Sequence, residues 1–232
     1  MKERLLAWLK RLFPRYSWGP LLACLTLNLF AYYLPRMINV ARGVTYHNLA
    51  LPLDEKIPFV PAFIVVYVAA YVSWYLGYAL ICRERPENCG VIFGEMISKA
   101  VCMACFVALP TLMMERPEVT GQGFIPWVTR LIYALDIPAD NLFPSIHCLE
   151  SWVVWRGMFG CRSLRRPVKA VFLGMALLVF ASTLLVKQHV LVDIPAGILV
   201  GELGQFLSRR LRLGQRYARW AESRGLAYVE KA

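Results

Sequence analysis

Long apolar runs, each closed by a short polar or basic cluster, dominate the chain. Six of them, at 18–35, 58–82, 91–114, 147–160, 167–186 and 190–208, read as membrane crossings, since a helix needs roughly 20 predominantly apolar residues to span a bilayer. The fourth is the shortest and carries Arg156. Pro and Gly fall inside several runs, as helix bundles in membranes tolerate. No internal repeat is visible, which counts against the duplicated halves of many secondary transporters. Ahead of the runs, Leu5, Trp8, Leu9 and Leu12 share one helical face, with Lys2, Arg4, Lys10 and Arg11 around it. That pattern predicts a basic amphipathic helix on the membrane surface, within residues 1–17. The alternative is the charged start of a cleaved signal peptide, but the apolar stretch that follows lacks a small-x-small cleavage site. The expected fold is thus an all-α bundle of about six transmembrane helices over 18–208, followed by a basic tail over 209–232.

Composition agrees. Hydrophobic residues make up 58% and charged residues 18% of the 232 positions, and the mean hydropathy is +0.49. Soluble domains run nearer half apolar and a quarter charged, so disorder, a coiled coil and an ordinary soluble enzyme are excluded. The net charge of +11 sits in clusters between the apolar runs, which marks a topology signal and not a nucleic-acid surface. Eighteen Lys and Arg fall in the N-terminal segment, the 83–90 and 161–169 loops and the tail, against six in the alternate loops. By the positive-inside rule both termini are cytoplasmic, in a plasma or inner membrane. The end of span 3, the start of span 4 and the junction of spans 5 and 6 then share the extracytoplasmic face. The seven Cys are scattered through apolar segments, and Cys102-x-x-Cys105 has no second pair at zinc-like spacing. They read as small buried hydrophobes.

Three segments at that face carry chemistry. His189 and Asp193 are four residues apart, so on a helix they share a face. A carboxylate there accepts a hydrogen bond from one imidazole nitrogen and leaves the other free as nucleophile or base. Pro144 and Ser145 open span 4, with Ser145 near the N-cap and His147 in the first turn, where free N–H groups favour an anion. Glu115-Arg116-Pro117 closes span 3. Arg116 alone would be a snorkelling anchor. With Lys187, Ser145 and a helix N-terminus it makes a cage for a tetrahedral oxyanion.

In this order the segments resemble the signature of the type-2 phosphatidic acid phosphatase and vanadium haloperoxidase superfamily: a Lys-x6-Arg-Pro block, a Pro-Ser-Gly-His block and a Ser-Arg-x5-His-x3-Asp block. Arg116 and Pro117 match the end of the first, with Leu109 at the position of its Lys. Pro144, Ser145 and His147 match the second, with Ile146 for Gly, and Ser182, His189 and Asp193 match the third, with Thr183 for Arg. The Phe-Pro-Ser-Ile-His and Lys-Gln-His forms are most similar to the branch that includes inositol-phosphorylceramide synthases. The resemblance spans about 95–205. It implies metal-free phosphoryl transfer with no cofactor: His189 the nucleophile that becomes phosphohistidine, Asp193 its orienting group, His147 the proton donor and acceptor, and Arg116, Lys187, Ser145 and Ser182 the phosphate ligands. The substrate class implied is a lipid phosphate or phospholipid, with water as acceptor in a phosphatase and an alcohol in a phosphotransferase.

Other ionisable residues within the spans are expected to pair: Glu95 with Lys99, and Arg156 with Glu202. Glu150, one turn from His147, is placed either to pair or to tune it. Residues 121–139, with Phe124, Trp127, Ile132 and Tyr133, fit an interfacial helix or an aromatic belt. Two rivals to catalysis remain. Two His and one Asp resemble a facial metal triad, which Lys187 and Arg116 would disfavour by repelling a cation. The other is a non-catalytic lipid-binding or transport protein.

Overall fold

The computed structural model describes residues 12–113 and 115–226. Most of the expected surface helix at 2–15 lies outside these residues. The described chain is helical, and its only β-type pairings are isolated bridges, His47 with Thr111 and Leu112 with Asp140. In chain order the α-helices are α1 (Trp18–Arg42), the single turn α2 (Pro52–Glu55), α3 (Ile64–Cys82), α4 (Gly90–Ala108), α5 (Phe124–Leu135), α6 (Ile146–Gly157), α7 (Arg166–Leu185), α8 (Asp193–Arg210) and α9 (Leu213–Ser223).

Four stretches are long and apolar enough to cross a membrane: Arg15–Arg42, Pro61–Cys82, Pro86–Ala108 and Arg166–Leu185. The other two expected spans come out differently. Helix α6 has only 12 residues, and α8, with 18, is interrupted by Gly197, Gly201, Glu202, Gly204 and Gln205. Both are packed against protein on several sides, so their sequences answer to neighbouring helices. Helix α6 packs on α3, α4, α7 and α8, and α4 packs on α1 and α8.

Two boundaries also move. Helix α1 runs on to Arg42, past the expected end at 35, with Pro35 buried inside it. It stops at Gly43, whose φ of 59° is the left-handed conformation that lets its N–H return to the Asn39 and Val40 carbonyls. Helix α4 stops at Ala108 and not near 114, because Pro110 disfavours helical geometry at the residue before it; Leu109 adopts φ −130°, ψ 78°.

The core is built from Trp74, Tyr78, Ile81, Ile92, Phe106, Leu149, Val153 and Met158. Glycine sets the closest helix approach: a Cβ on Gly204 of α8 would stand 2.2 Å from the Gly94 carbonyl of α4. Within this core Lys99 Nζ lies 2.5 Å from Glu95 and 2.8 Å from Glu150, all three side chains fully buried. Arg156 meets Glu202 at 2.8 Å in a partly exposed pair. Both expected pairs therefore form, and Glu150 joins the first. All seven Cys are free thiols.

The loops gather at two ends. At one, Tyr16 bonds the Cys82 carbonyl, and Glu84 accepts from the Arg162 and Ser163 N–H groups. At the other, the 44–60, 109–113, 115–123, 136–145 and 186–192 segments meet. Helix α5 lies there, with Ile125, Val128 and Ile132 against Ile64, Tyr67 and Val186. Its other side exposes Phe124, Trp127, Leu131 and Leu135.

Candidate active site

The second end begins with the way α7 stops. The N–H of Lys187 returns to the Leu184 carbonyl and that of Gln188 to the Thr183 carbonyl, at 3.1 and 2.9 Å, the two bonds of a Schellman motif. The left-handed residue such a turn needs is Lys187, at φ 50°, where glycine is usual. A side chain in that conformation costs roughly 1–2 kcal/mol. The Lys187 ammonium offsets it by donating to the carbonyls of Asp54 and Ile57 at 3.0 and 2.7 Å. The His189 N–H also donates to the Thr183 carbonyl, at 3.1 Å, so Gln188 and His189 leave the helix end together.

Helix α8 starts four residues on. Asp193, its first residue, is fully buried. One carboxylate oxygen, Oδ2, accepts from the Val190 N–H at 3.0 Å and lies 3.0 Å from His189 Nδ1. The i,i+4 pair read from the sequence is therefore made. A carboxylate can only accept, so Nδ1 carries the proton and Nε2 keeps its lone pair.

Helix α6 starts against α8. Ser145 caps it, its hydroxyl accepting from the Cys148 N–H at 3.3 Å, while its own N–H donates to the Asp193 carbonyl at 3.2 Å. Contact this close requires Gly197: a Cβ there would stand 2.4 Å from the Ser145 carbonyl oxygen. His147, in the first turn, is held by aromatic rings. It stacks on Tyr67 at 4.3 Å and meets Trp74 and Tyr71 edge-on at 5.2 and 5.6 Å. The Trp74 indole N–H donates to Ser151, which donates to the His147 carbonyl, each at 2.8 Å. The two imidazole centroids are 5.8 Å apart, and His147 Nε2 is buried with no protein partner among the described residues.

Arg116 arrives from the irregular segment after α4, not from a helix end. Its guanidinium pairs with the Asp136 carboxylate, donates to Gln188 Oε1 at 2.7 Å and lies 4.8 Å over the Tyr133 ring. Asp136, just past α5, also accepts from Tyr32. A hydrogen-bond network therefore joins Arg116 to the residue beside His189. The ensemble of imidazoles, a carboxylate and a guanidinium offers a free imidazole lone pair and N–H donors. Those groups suit a tetrahedral oxyanion better than a metal cation.

No family model, no curated protein and no solved structure matches the chain.

Two expected phosphate ligands are engaged elsewhere. Lys187 is committed to the carbonyls of Asp54 and Ile57, because its left-handed backbone turns the side chain toward the 51–57 loop. Ser182 is buried inside α7, and its hydroxyl donates to the Val179 carbonyl at 2.8 Å. The Ser145 hydroxyl is the helix cap. Sequence reasoning missed four contributors. Asp54 ties its loop to the site, its Oδ1 accepting from the Leu191 N–H at 2.8 Å. Asp136 and Gln188 hold Arg116, and Gly197 lets α6 and α8 touch. Only Gln188, adjacent to His189, carried a signal by position.

Proposed function

We propose that the protein is a multi-pass membrane phosphoesterase, similar to the type-2 phosphatidic acid phosphatases, that cleaves a lipid phosphate through a phosphohistidine. The observation that carries this is one geometry: His189 oriented by Asp193, with the His147 ring 5.8 Å away. In the first step His189 Nε2 attacks phosphorus and the bond to the alcohol oxygen breaks. The leaving oxygen takes a proton from His147, while Asp193 offsets the positive charge that grows on His189. In the second step a water oxygen attacks phosphorus, the N–P bond breaks and His147 accepts the water proton. Arg116 and the N–H groups at the start of α6 stabilise the equatorial oxygens, where charge gathers. An alcohol in place of water makes the same intermediate a phosphotransfer.

In this reading α6 and α8 complete six crossings, both termini are cytoplasmic and the imidazoles face the opposite side. A lipid substrate is supported by α5. Trp127, 57% exposed, and its apolar neighbours face outward, while the buried side of the same helix carries Tyr133 beneath Arg116.

The test is phosphate release from a panel of lipid phosphates in detergent, with and without alcohol acceptors, products being identified by mass. His189→Ala should lower turnover at least ~1,000-fold, as loss of a nucleophile does. Unchanged turnover in that variant, or wild-type protein inert on the whole panel while still binding lipid, would overturn the proposal.

A further inference from the structure

Gln188 is 3% exposed, and the two ends of its amide are treated differently. The oxygen accepts from Arg116 Nη2 at 2.7 Å. A guanidinium has only donors, so this bond fixes which end of the amide faces it. The NH2 end is buried and has no hydrogen-bond partner among the described residues. Arg116 Nε and His147 Nε2 share that condition. Leaving a buried N–H unmatched costs about 1–3 kcal/mol, and here two such donors, Gln188 Nε2 and Arg116 Nε, belong to residues bonded to each other beside His189.

The charged groups nearby have little to spare. Asp136 already offsets the Arg116 guanidinium, and backbone carbonyls cap the Lys187 ammonium. A neutral donor on the His189 turn therefore takes a larger share of the grip. We infer that the Gln188 side-chain NH2 donates a hydrogen bond to a non-bridging oxygen of the phosphate, so that Gln188 is an oxyanion-binding residue and not only a prop for Arg116. This rests on the phosphoryl-transfer reading above.

Gln188→Glu tests the two roles. It keeps the size of the side chain and gives Arg116 a stronger acceptor, but it replaces the donor with a carboxylate oxygen. Unchanged oxyanion binding would leave Gln188 a prop. Because the new carboxylate also repels an anion, a loss is assigned to the missing donor only when the Gln188 amide resonance of wild type also moves on addition of phosphate. The experiment uses the full chain in detergent, with inorganic phosphate and orthovanadate as probes followed by thermal stabilisation, alongside turnover of the best lipid phosphate. The expected result is a melting temperature equal to or above wild type, oxyanion affinity weakened at least about tenfold and kcat/KM reduced at least about tenfold. Gln188→Glu that binds both probes as tightly as wild type overturns the inference. An independent measurement needs no folded Glu variant. The Gln188 side-chain amide resonance of 15N-labelled wild type, assigned by its loss in Gln188→Met, should move downfield when phosphate is added; a resonance that stays in place also overturns it. Wild type that neither binds the probes nor turns over any lipid phosphate sinks the functional reading itself, whereas wild type that binds them, with Gln188→Glu unchanged, sinks only the role of Gln188.

Discussion

Helix α6 carries ionisable groups at two levels. Glu150 lies in the interior and meets Lys99, which also holds Glu95, all three side chains being closed to solvent. One turn earlier, His147 faces aromatic rings, and its Nε2 stays unmatched across from His189. The interior set places every charge against an opposite one within hydrogen-bonding distance. Beside the imidazoles, Gln188 Nε2, Arg116 Nε and His147 Nε2 have no partner among the described residues. Burial is costly for both; Glu150 Oε2 in the interior also lacks a partner, but among the described residues only the set beside the imidazoles leaves buried side-chain nitrogens unmatched. The contrast separates groups paired with one another inside the bundle from groups whose nitrogens stay free to meet a ligand.

The largest effect should come from breaking the interior set. Lys99→Met leaves two carboxylates facing each other in the core and should destabilise the protein by ~3–5 kcal/mol, read as a fall in melting temperature in detergent. Glu150→Gln keeps the Glu95–Lys99 pair and should cost less. His189→Ala should abolish turnover at a smaller cost in stability than Lys99→Met, since the Asp193 carboxylate it leaves behind keeps the Val190 N–H. Equal destabilisation by Lys99→Met and His189→Ala would erase the contrast.

Next in size, Gly197→Ala drives a methyl against the Ser145 carbonyl and should cost about 1–3 kcal/mol as overpacking. Because it pushes apart the two helix starts that bear the imidazoles, oxyanion binding should fall further than stability does. Lys187→Met should be milder, about 1–2 kcal/mol for lost charge-assisted hydrogen bonds to two carbonyls. If Lys187 tethers the turn and does not grip phosphate, restoring the turn with Lys187→Gly should recover binding. Binding lost in both variants to the same extent would return Lys187 to the phosphate site.

Much of this was legible in the sequence. Apolar runs gave the helices, and i,i+4 spacing gave His189–Asp193 and Glu95–Lys99, because both are local rules. Arg156–Glu202 was legible too, as the two are charges set in apolar runs with few alternative partners. What stayed hidden depends on contacts remote along the chain. The carbonyls that capture Lys187 lie 133 and 130 residues away, and no local pattern marks a lysine as left-handed. Arg116 looked like a helix-end residue because the apolar run continues past Pro110, although the helix does not. The partners of Arg116 come from the end of α5 and from the α7–α8 turn, which sequence alone could not bring together.

The hold of Asp54 on Leu191, and of Lys187 on the 54–57 backbone, makes two stretches far apart in the chain into a single joint. A chimera that imports one stretch without the other would leave that joint unmatched. Even a one-residue deletion near Pro58, remote from any imidazole in the written sequence, would be felt at His189. The 44–60 loop is thus as intolerant of length change as the motif it braces.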